Sequence, residues 1–359
     1  MSYMRFILIR CAAAVILVAL PALSNDTFVH QSAGNLMFVH NDKVAIQQEK
    51  LIIGPPAQSK DSNLRTIPIH VEYELENTVS STVEAQIGFP LAPCLLSDYL
   101  MEKTTDFVSG GAGTCVKEPA MTLTVDGHPI PGKWGFTFLR DGKGFENGPA
   151  DLALAERVSS LIDLVGDPEK KFFEQDPAFA RAATEICSQL GGQMKDAECS
   201  SFGRISVHRT FLWEYRFLPH VHSHVVHDYQ VIASWNVHPE DVFSFDAFCL
   251  SDSSTQSAWK KYRNDLHNRE EAAFHSSNPD GPSAPYPREF FTEYVLQTGA
   301  LWAGPIADFD LTIRKSAESQ LISTCFPGLR KTSALAFTVH RSNFKPSGIL
   351  RVLFLDPFN

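Results

Sequence analysis

Four histidines fall within eight residues of the segment HVHSHVVHDYQV, at His220, His222, His224 and His227. If this segment is a β-strand, residues two apart lie on one face, about 6.6 Å from each other. Two histidines at that spacing can bind one zinc ion when a further ligand comes from elsewhere in the fold. Histidine is also an ordinary residue on the wet face of a strand, so both interpretations are open.

The apolar residues of the segment divide its histidines between two faces. We predict that His220, His222 and His224 lie on the polar face, as candidate metal ligands or as solvent-exposed side chains. A zinc ion held there would be the only cofactor that the sequence suggests. The residues that could complete such a site are His208, Asp228, Glu214 and His238.

Three other residues are candidates for contact with a ligand or a partner. Two of them, His227 and Tyr229, fall on the apolar face of the segment, where a histidine either serves packing or has a functional role. Trp302, in the segment TGALWAGPI, either plugs the end of a β-sandwich or stands exposed as a contact residue. Gly304 in the same segment permits a positive φ angle.

The elements that must position these residues are mostly β-strands. In TIPIHVEYEL the apolar residues alternate with polar ones such as Glu72 and Glu74, which predicts a strand with one face in water. Asp126-Gly127 predicts a hairpin turn. Residues 150–195 instead show helical spacing, with Asp-Pro pairs typical of helix starts. We therefore predict a mainly β fold with two antiparallel sandwich-like β units and a helical insertion.

The predicted organisation has four parts. Residues 1–24 combine a short basic region, an apolar run and small residues before Asn25, which is typical of a cleaved signal peptide. An N-terminal β-sandwich-like domain follows at 25–145, a helical insertion at 146–200 and a C-terminal β-sandwich-like domain at 201–359. The sequence after the signal peptide has no apolar run long enough for a membrane helix, so we expect a periplasmic or secreted protein.

Charge and cysteine content narrow the class of protein further. The formal charge is −10 for the whole chain and becomes −12 when Arg5 and Arg10 leave with the signal peptide, which argues against nucleic acid as a partner. Apart from Cys11, the cysteines are even in number, which in an exported protein indicates disulfides. Fifteen pairings are possible, and our prediction is Cys94–Cys115, Cys187–Cys199 and Cys249–Cys325.

Three segments in this order resemble the bacterial exported domain-of-unknown-function family DUF4424. They are SAGNLMFVHNDKVAIQQEKLII with the following VEYELENTVSSTVEAQIGFPLAP, then WEYRFLPHVHSHVVHDYQ, and finally TGALWAGPIADFDLTIRKS. The residues of the last segment that are most specific are Thr298, Gly299, Trp302, Gly304, Pro305, Ile306 and Phe309. The resemblance implies an exported, mostly β protein and no activity. It includes His227 and Tyr229 but not the HVHSH that precedes them.

Two functions remain open from the sequence. The first is a non-catalytic binding or interaction module of the cell envelope, whose partner is an envelope protein or a small ligand. The second is a metal-dependent hydrolase that uses the histidine-rich strand 220–227. Because the sequence contains neither G-x-S-x-G nor H-E-x-x-H, catalysis is the less favoured of the two.

Overall fold

The structure is a computed structural model that describes part of the chain. The residues described are 27–32, 35–58, 65–91, 94–96, 121–140, 143–144, 154, 156–161, 177–195, 198–199, 201–235, 248–250, 257, 260–262, 264–265, 268 and 288–356. The predicted signal peptide at 1–24 lies outside these residues. Within them, no helix is long and apolar enough to cross a membrane.

Strands account for most of the described residues. In chain order they are β1 (Thr27–Ser32), β2 (Asn35–Val39), β3 (Val44–Ile53), β4 (Ala57–Gln58), β5 (Arg65–Asn77), β6 (Val83–Pro90), β7 (Cys94–Leu95), β8 (Met121–Val125), β9 (His128–Pro129), β10 (Lys133–Arg140), β11 (Lys143–Gly144), β12 (Met194–Lys195), β13 (Glu198–Cys199), β14 (Ile205–Phe217), β15 (His222–Ile232), β16 (Ser234–Trp235), β17 (Arg288–Val295), β18 (Ile306–Arg314), β19 (Leu321–Ser323), β20 (Arg330–Ser333), β21 (Ala336–Phe344) and β22 (Ile349–Asp356). Helix α1 spans Pro177–Gln189, and short 3₁₀ helices span Phe202–Arg204 and Gln297–Leu301.

The strands form three large sheets. A nine-stranded sheet has the order β20-β21-β18-β3-β5-β15-β8-β9, with β4 beside β5. A seven-stranded sheet has the order β11-β10-β14-β6-β1-β2, with β7 beside β14, and a four-stranded sheet has the order β16-β17-β22-β19. All these pairs are antiparallel except β3 and β18, which run parallel. The predicted mainly β fold with antiparallel sheets is confirmed.

The two segments predicted as separate β domains contribute to the same sheets. In the nine-stranded sheet, β5 from the first segment pairs along nearly its whole length with β15 from the second. In the seven-stranded sheet, β14 from the second segment lies between β6 and β10 from the first. Hydrogen bonding between strands therefore crosses the predicted domain boundary. Period-two alternation could not show this, because it indicates which face of a strand is buried but does not identify the neighbouring strand.

The main core lies between the inner face of the nine-stranded sheet and the other two large sheets. Alternate residues of β5 from Ile67 to Leu75 are buried there. Phe89 of the seven-stranded sheet and Tyr294 of the four-stranded sheet reach the same core. Burying each such side chain contributes about 1.5–3 kcal/mol to folding. The side chains between Ile67 and Leu75 that point the other way are therefore on an outer, solvent-facing surface.

Helical residues pack against another part of the seven-stranded sheet, at the start of β14. Leu154, Val158 and Leu161 join Ile186 of α1 in a second core against Val207 and its neighbours on β14. Helix α1 lies inside the segment 146–200 that was predicted as a helical insertion. The helix is followed by Gly191, whose φ of +71° is typical of a glycine just after the last turn of a helix.

Two of the three predicted disulfides are present. Cys187 is bonded to Cys199 and ties the end of α1 to β13, and Cys249 is bonded to Cys325 across 76 residues of sequence. The third predicted pair, Cys94–Cys115, lies outside the described side chains. Disulfides of this kind persist in oxidising compartments, so both bonds are consistent with an exported protein.

Candidate functional site: the histidine face

The histidine-rich segment forms β15, and its side chains alternate as predicted. The strand begins at His222, and His222, His224 and Asp228 point to the outer surface, whereas His227 is fully buried. His220 lies outside the strand, in the turn before it, with a φ of +54°. Of the three candidate metal ligands, only His222 and His224 therefore share the outer face of the strand.

Each outward histidine of β15 faces a carboxylate of β5. The antiparallel register places His224 opposite Glu74 and His222 opposite Glu76. The His224 Nδ1 atom lies 2.7 Å from Glu74 Oε1, and His222 Nε2 lies 3.8 Å from Glu76 Oε2. Cross-strand pairs of this type lie close enough to interact directly, so the register itself brings each histidine to its carboxylate.

A third histidine, on β5, is held by carboxylates from two strands. His70 Nδ1 lies 2.7 Å from Asp228 Oδ1 of β15, and His70 Nε2 lies 2.8 Å from Glu72 Oε1. Glu72 also accepts a hydrogen bond of 3.1 Å from Lys50 Nζ of β3. His70 was not among the predicted site residues, because the sequence does not show that β15 is its neighbour.

The ionic pattern continues across the parallel pair of strands. Asp310 of β18 is the register partner of Lys50. The Nδ1 atom of His340, on β21, lies 2.9 Å from Asp310 Oδ1. His340 Nε2 lies 3.6 Å from Asp308. We call this continuous outer surface of β21, β18, β3, β5 and β15 the histidine face. Its residues are Lys50, His70, Glu72, Glu74, Glu76, His222, His224, Asp228, Asp308, Asp310 and His340, with side chains 27–58% exposed.

The carboxylates alter the protonation of the face. Burial alone would lower the pKa of His70, but the hydrogen bonds to Glu72 and Asp228 outweigh it and leave the pKa raised. The hydrogen bond from His70 lowers the pKa of Glu72, although partial burial opposes the shift. Both shifts favour an ionic His70–Glu72 pair, in which a proton on His70 is stabilised by its neighbours.

The candidate zinc ligands are divided between the outer face of β15 and the turn before it. Within the described residues, no group of three or more histidine, cysteine, aspartate and glutamate side chains is arranged to hold a metal ion. His222 and His224 are paired with different carboxylates, and His220 is in the preceding turn. A zinc ion bound by these histidines therefore stays a prediction from the sequence.

The residues predicted as ligand or partner contacts lie inside the protein. The His227 ring stacks on Phe89 at a centroid distance of 4.9 Å and is fully buried. Tyr229 meets the same Phe89 ring edge to face, and Trp302 is 1% exposed. The loop that carries Trp302 has a φ of +80° at Gly304 and is pinned to the start of β3 by a backbone hydrogen bond from Ala303. A partner at the surface cannot contact these side chains in this conformation.

A buried carboxylate near this core was missed from the sequence. A register shift between Ile46 and Gln48 of β3 turns Glu49 inward, where it is 0% exposed and accepts a hydrogen bond from the Tyr294 hydroxyl at 3.4 Å. The Tyr294 and Tyr73 hydroxyls lie 3.3 Å apart. Burial, together with Tyr73 and Glu49, raises the pKa of Tyr294 well above its ordinary value. The sequence does carry a signal, because the apolar residues change from even positions before the bulge to odd positions after it.

An open groove of about 420 Å³ lies elsewhere, along β6 and β14. Its lining includes Glu84, Gln86, Glu214, Tyr215 and Arg216. Arg216 lies 3.7 Å from Glu84 in a highly exposed pair, which contributes little to stability or specificity. The groove provides a second exposed surface with charged side chains, with which the histidine face can be compared experimentally.

Comparisons with known proteins identify the family of the chain. The family model described as domain of unknown function (DUF4424) matches residues 24–353. No curated protein matches the chain. The structure of a "putative nutrient binding protein" from Legionella pneumophila shares 12% identity, with a TM-score of 0.44 over 92% of this chain and 70% of that one. An M1 zinc metallopeptidase from Deinococcus radiodurans shares 8% identity, with a TM-score of 0.26 over 88% of this chain and 43% of the enzyme. Neither likeness is strong enough to transfer a ligand or an activity.

Proposed function

We propose that this chain, which belongs to the DUF4424 family, is an exported, non-catalytic binding module of the cell envelope that recognises a partner protein through the histidine face. The observation that carries the proposal is the density of exposed ionic side chains on one continuous sheet surface. A ring nitrogen of each of four histidines lies 2.7–3.8 Å from a carboxylate oxygen there; these are His70, His222, His224 and His340. The sequence of residues 1–24 and the two disulfides support export.

A binding role also suits the chemistry of the face. Its charged groups are paired with one another and exposed, so they can exchange these contacts for contacts with a partner without burying an uncompensated charge. Charge pairs at such a surface chiefly select the partner and speed up its association. Because the residues sit on five hydrogen-bonded strands, the face is rigid and already formed before a partner arrives.

The test compares partner capture by matched variants of the purified protein. The triple variant Glu72→Gln, Glu74→Gln, Glu76→Gln removes three charges from the histidine face. The control removes three exposed charges elsewhere, through Glu84→Gln, Glu185→Gln and Glu214→Gln. We expect quantitative mass spectrometry of envelope extracts to show at least one protein captured by the wild type and the control but lost with the face variant. Identical capture profiles for all three proteins would refute the proposed function.

A further inference from the structure

We infer that the histidine face binds an extended, cationic segment of the partner, with lysine or arginine at every second residue, and that acidification releases it. This inference rests on the proposed function and names the partner chemistry and the regulation of the same surface. Three features of the face support it: the spacing of its carboxylates, its net charge and the position of its histidines.

The spacing of the carboxylates matches an extended peptide. Glu72, Glu74 and Glu76 lie on the outer face of β5 at alternate positions, and β5 is regular over this stretch. Alternate residues of a strand are about 6.6–6.8 Å apart. An extended partner segment has the same two-residue repeat, so its cations at positions i, i+2 and i+4 can each meet one glutamate. A helix, whose side chains recur at three and four residues, does not match this repeat.

The charge of the face is complementary to such a segment. Its six carboxylates, from Glu72, Glu74, Glu76, Asp228, Asp308 and Asp310, are opposed by one lysine, Lys50, which gives a formal charge of −5 when the histidines are neutral. Arg314 and Arg330 are exposed beyond this area, near the β18 and β20 corner of the sheet. The negative field is therefore centred on β5 and β15, where it can attract and orient a cationic chain.

The histidines make this charge dependent on pH. His70 faces Glu72 and Asp228, with Lys50 beyond Glu72; His222 faces Glu76; His224 faces Glu74; and His340 faces Asp308 and Asp310. Protonation of all four would change the formal charge from −5 to −1 and strengthen the internal pairs that a cationic partner must replace. Histidine is the side chain whose charge ordinarily changes between pH 5 and 8. Acidification should therefore weaken the binding of a cationic segment.

The experiment measures the binding of two labelled peptides to the full exported chain with its disulfides formed. One peptide alternates lysine with serine over 11 residues, and the other has the same composition with all lysines in one block. At pH 7.5 and low salt, we expect the alternating peptide to bind about tenfold more tightly, because its three central cations match β5. At pH 5.5 we expect its affinity to fall about tenfold.

The variants used for partner capture provide the controls. We expect the triple variant at positions 72, 74 and 76 to lose about tenfold in affinity, and the control triple variant at positions 84, 185 and 214 to change by less than about twofold. The double variant Asp308→Asn, Asp310→Asn gives a second change on the face and should weaken binding about threefold if the first variant folds poorly. Thermal melting checks the fold of each protein.

The results separate this inference from the proposed function. Equal affinity for the two peptides, or equal losses in both triple variants, would show non-specific attraction and overturn the spacing argument. Unchanged affinity between pH 7.5 and 5.5 would overturn the release by acid. If no lysine peptide binds but partner capture still depends on the face, the cationic segment is wrong while the binding function stands.

Discussion

Asn77 provides a stringent test of how the end of the histidine face is held. Its side chain is fully buried at the end of β5, and its amide group donates hydrogen bonds to the carbonyl oxygens of Ser81 at 2.9 Å and Phe217 at 3.0 Å. Its side-chain oxygen accepts a hydrogen bond from the Val79 amide at 3.1 Å. One side chain thus joins the β5–β6 turn to the end of β14, immediately before the turn that leads to β15.

We predict that Asn77→Ala lowers the free energy of unfolding by about 3 kcal/mol. The Phe217 bond is buried, so water cannot readily replace it and its loss should cost about 1–3 kcal/mol. The bonds to Ser81 and Val79 are partly exposed, and their loss should cost about 0.5–1 kcal/mol each because water can replace them. Urea unfolding should show a lower midpoint with an unchanged slope.

Two further variants make the Asn77 prediction specific. Asn77→Asp keeps the acceptor for Val79 but removes both donors and buries a charge, so it should destabilise the protein at least as much as the alanine variant. The matched control is Thr78→Ala, which removes an exposed hydrogen bond to the Lys43 carbonyl and should cost less than about 1 kcal/mol. If Asn77→Ala destabilises no more than Thr78→Ala, the reasoning about this clamp is wrong.

Three other predictions concern pH, redox state and metal. The carboxylate partners of His70 raise its pKa, so the stabilisation from this histidine should be complete below about pH 6.5 and be lost as the pH rises through the raised pKa. The difference in unfolding free energy between the wild type and His70→Gln should therefore shrink from about pH 6 to pH 8. A constant difference would contradict this prediction. Replacing Cys249 and Cys325 with serine should lower the free energy of unfolding by about 4.5 kcal/mol, because the disulfide closes a loop of 76 residues. Urea unfolding measures this loss, and a loss below about 1 kcal/mol would contradict the prediction. Purified protein should contain less than about 0.2 equivalents of zinc and melt at the same temperature with added zinc, whereas a stoichiometric metal that is lost in His222→Ala, His224→Ala would favour the hydrolase hypothesis.

The faces of individual strands could be predicted from the sequence because alternation depends only on neighbouring residues. The pattern around Tyr73 correctly placed Glu72 and Glu74 on the solvent side, and the pattern in β15 correctly separated His227 from His222 and His224. The hairpin turn at Asp126-Gly127 is also present, with φ angles of +51° and +77°. These features are local, and one strand or turn contains all the information that they require.

The ionic pairs of the histidine face could not be predicted in the same way. His224 and Glu74 are separated by 150 residues, and His70 and Asp228 by 158, so their contact depends on which strands pair and in which register. A shift of one residue would turn every side chain of β15 to the opposite face. Alternation within each strand therefore shows that these groups are exposed but not that they meet.

The β3 bulge illustrates information that was present in the sequence but not recognised. In VAIQQEKLII the buried apolar residues are Val44 and Ile46, then Leu51 and Ile53, so the inward phase must shift by one residue between them. That shift brings Glu49 into the core, beside Tyr294. A strict alternation would have placed Glu49 outside, which is why a buried carboxylate was not expected.

The central claim is that partner proteins contact the histidine face, and site-specific photo-crosslinking in living cells tests it most directly. A photoreactive amino acid would replace Gln48 or Val226, which lie within the face, and Gln86 or Arg216 on the outer surface of the seven-stranded sheet as controls. Our account predicts a discrete crosslinked partner band from both face positions and none from the control positions. Bands from the control positions alone, or equal bands from all four, would contradict it.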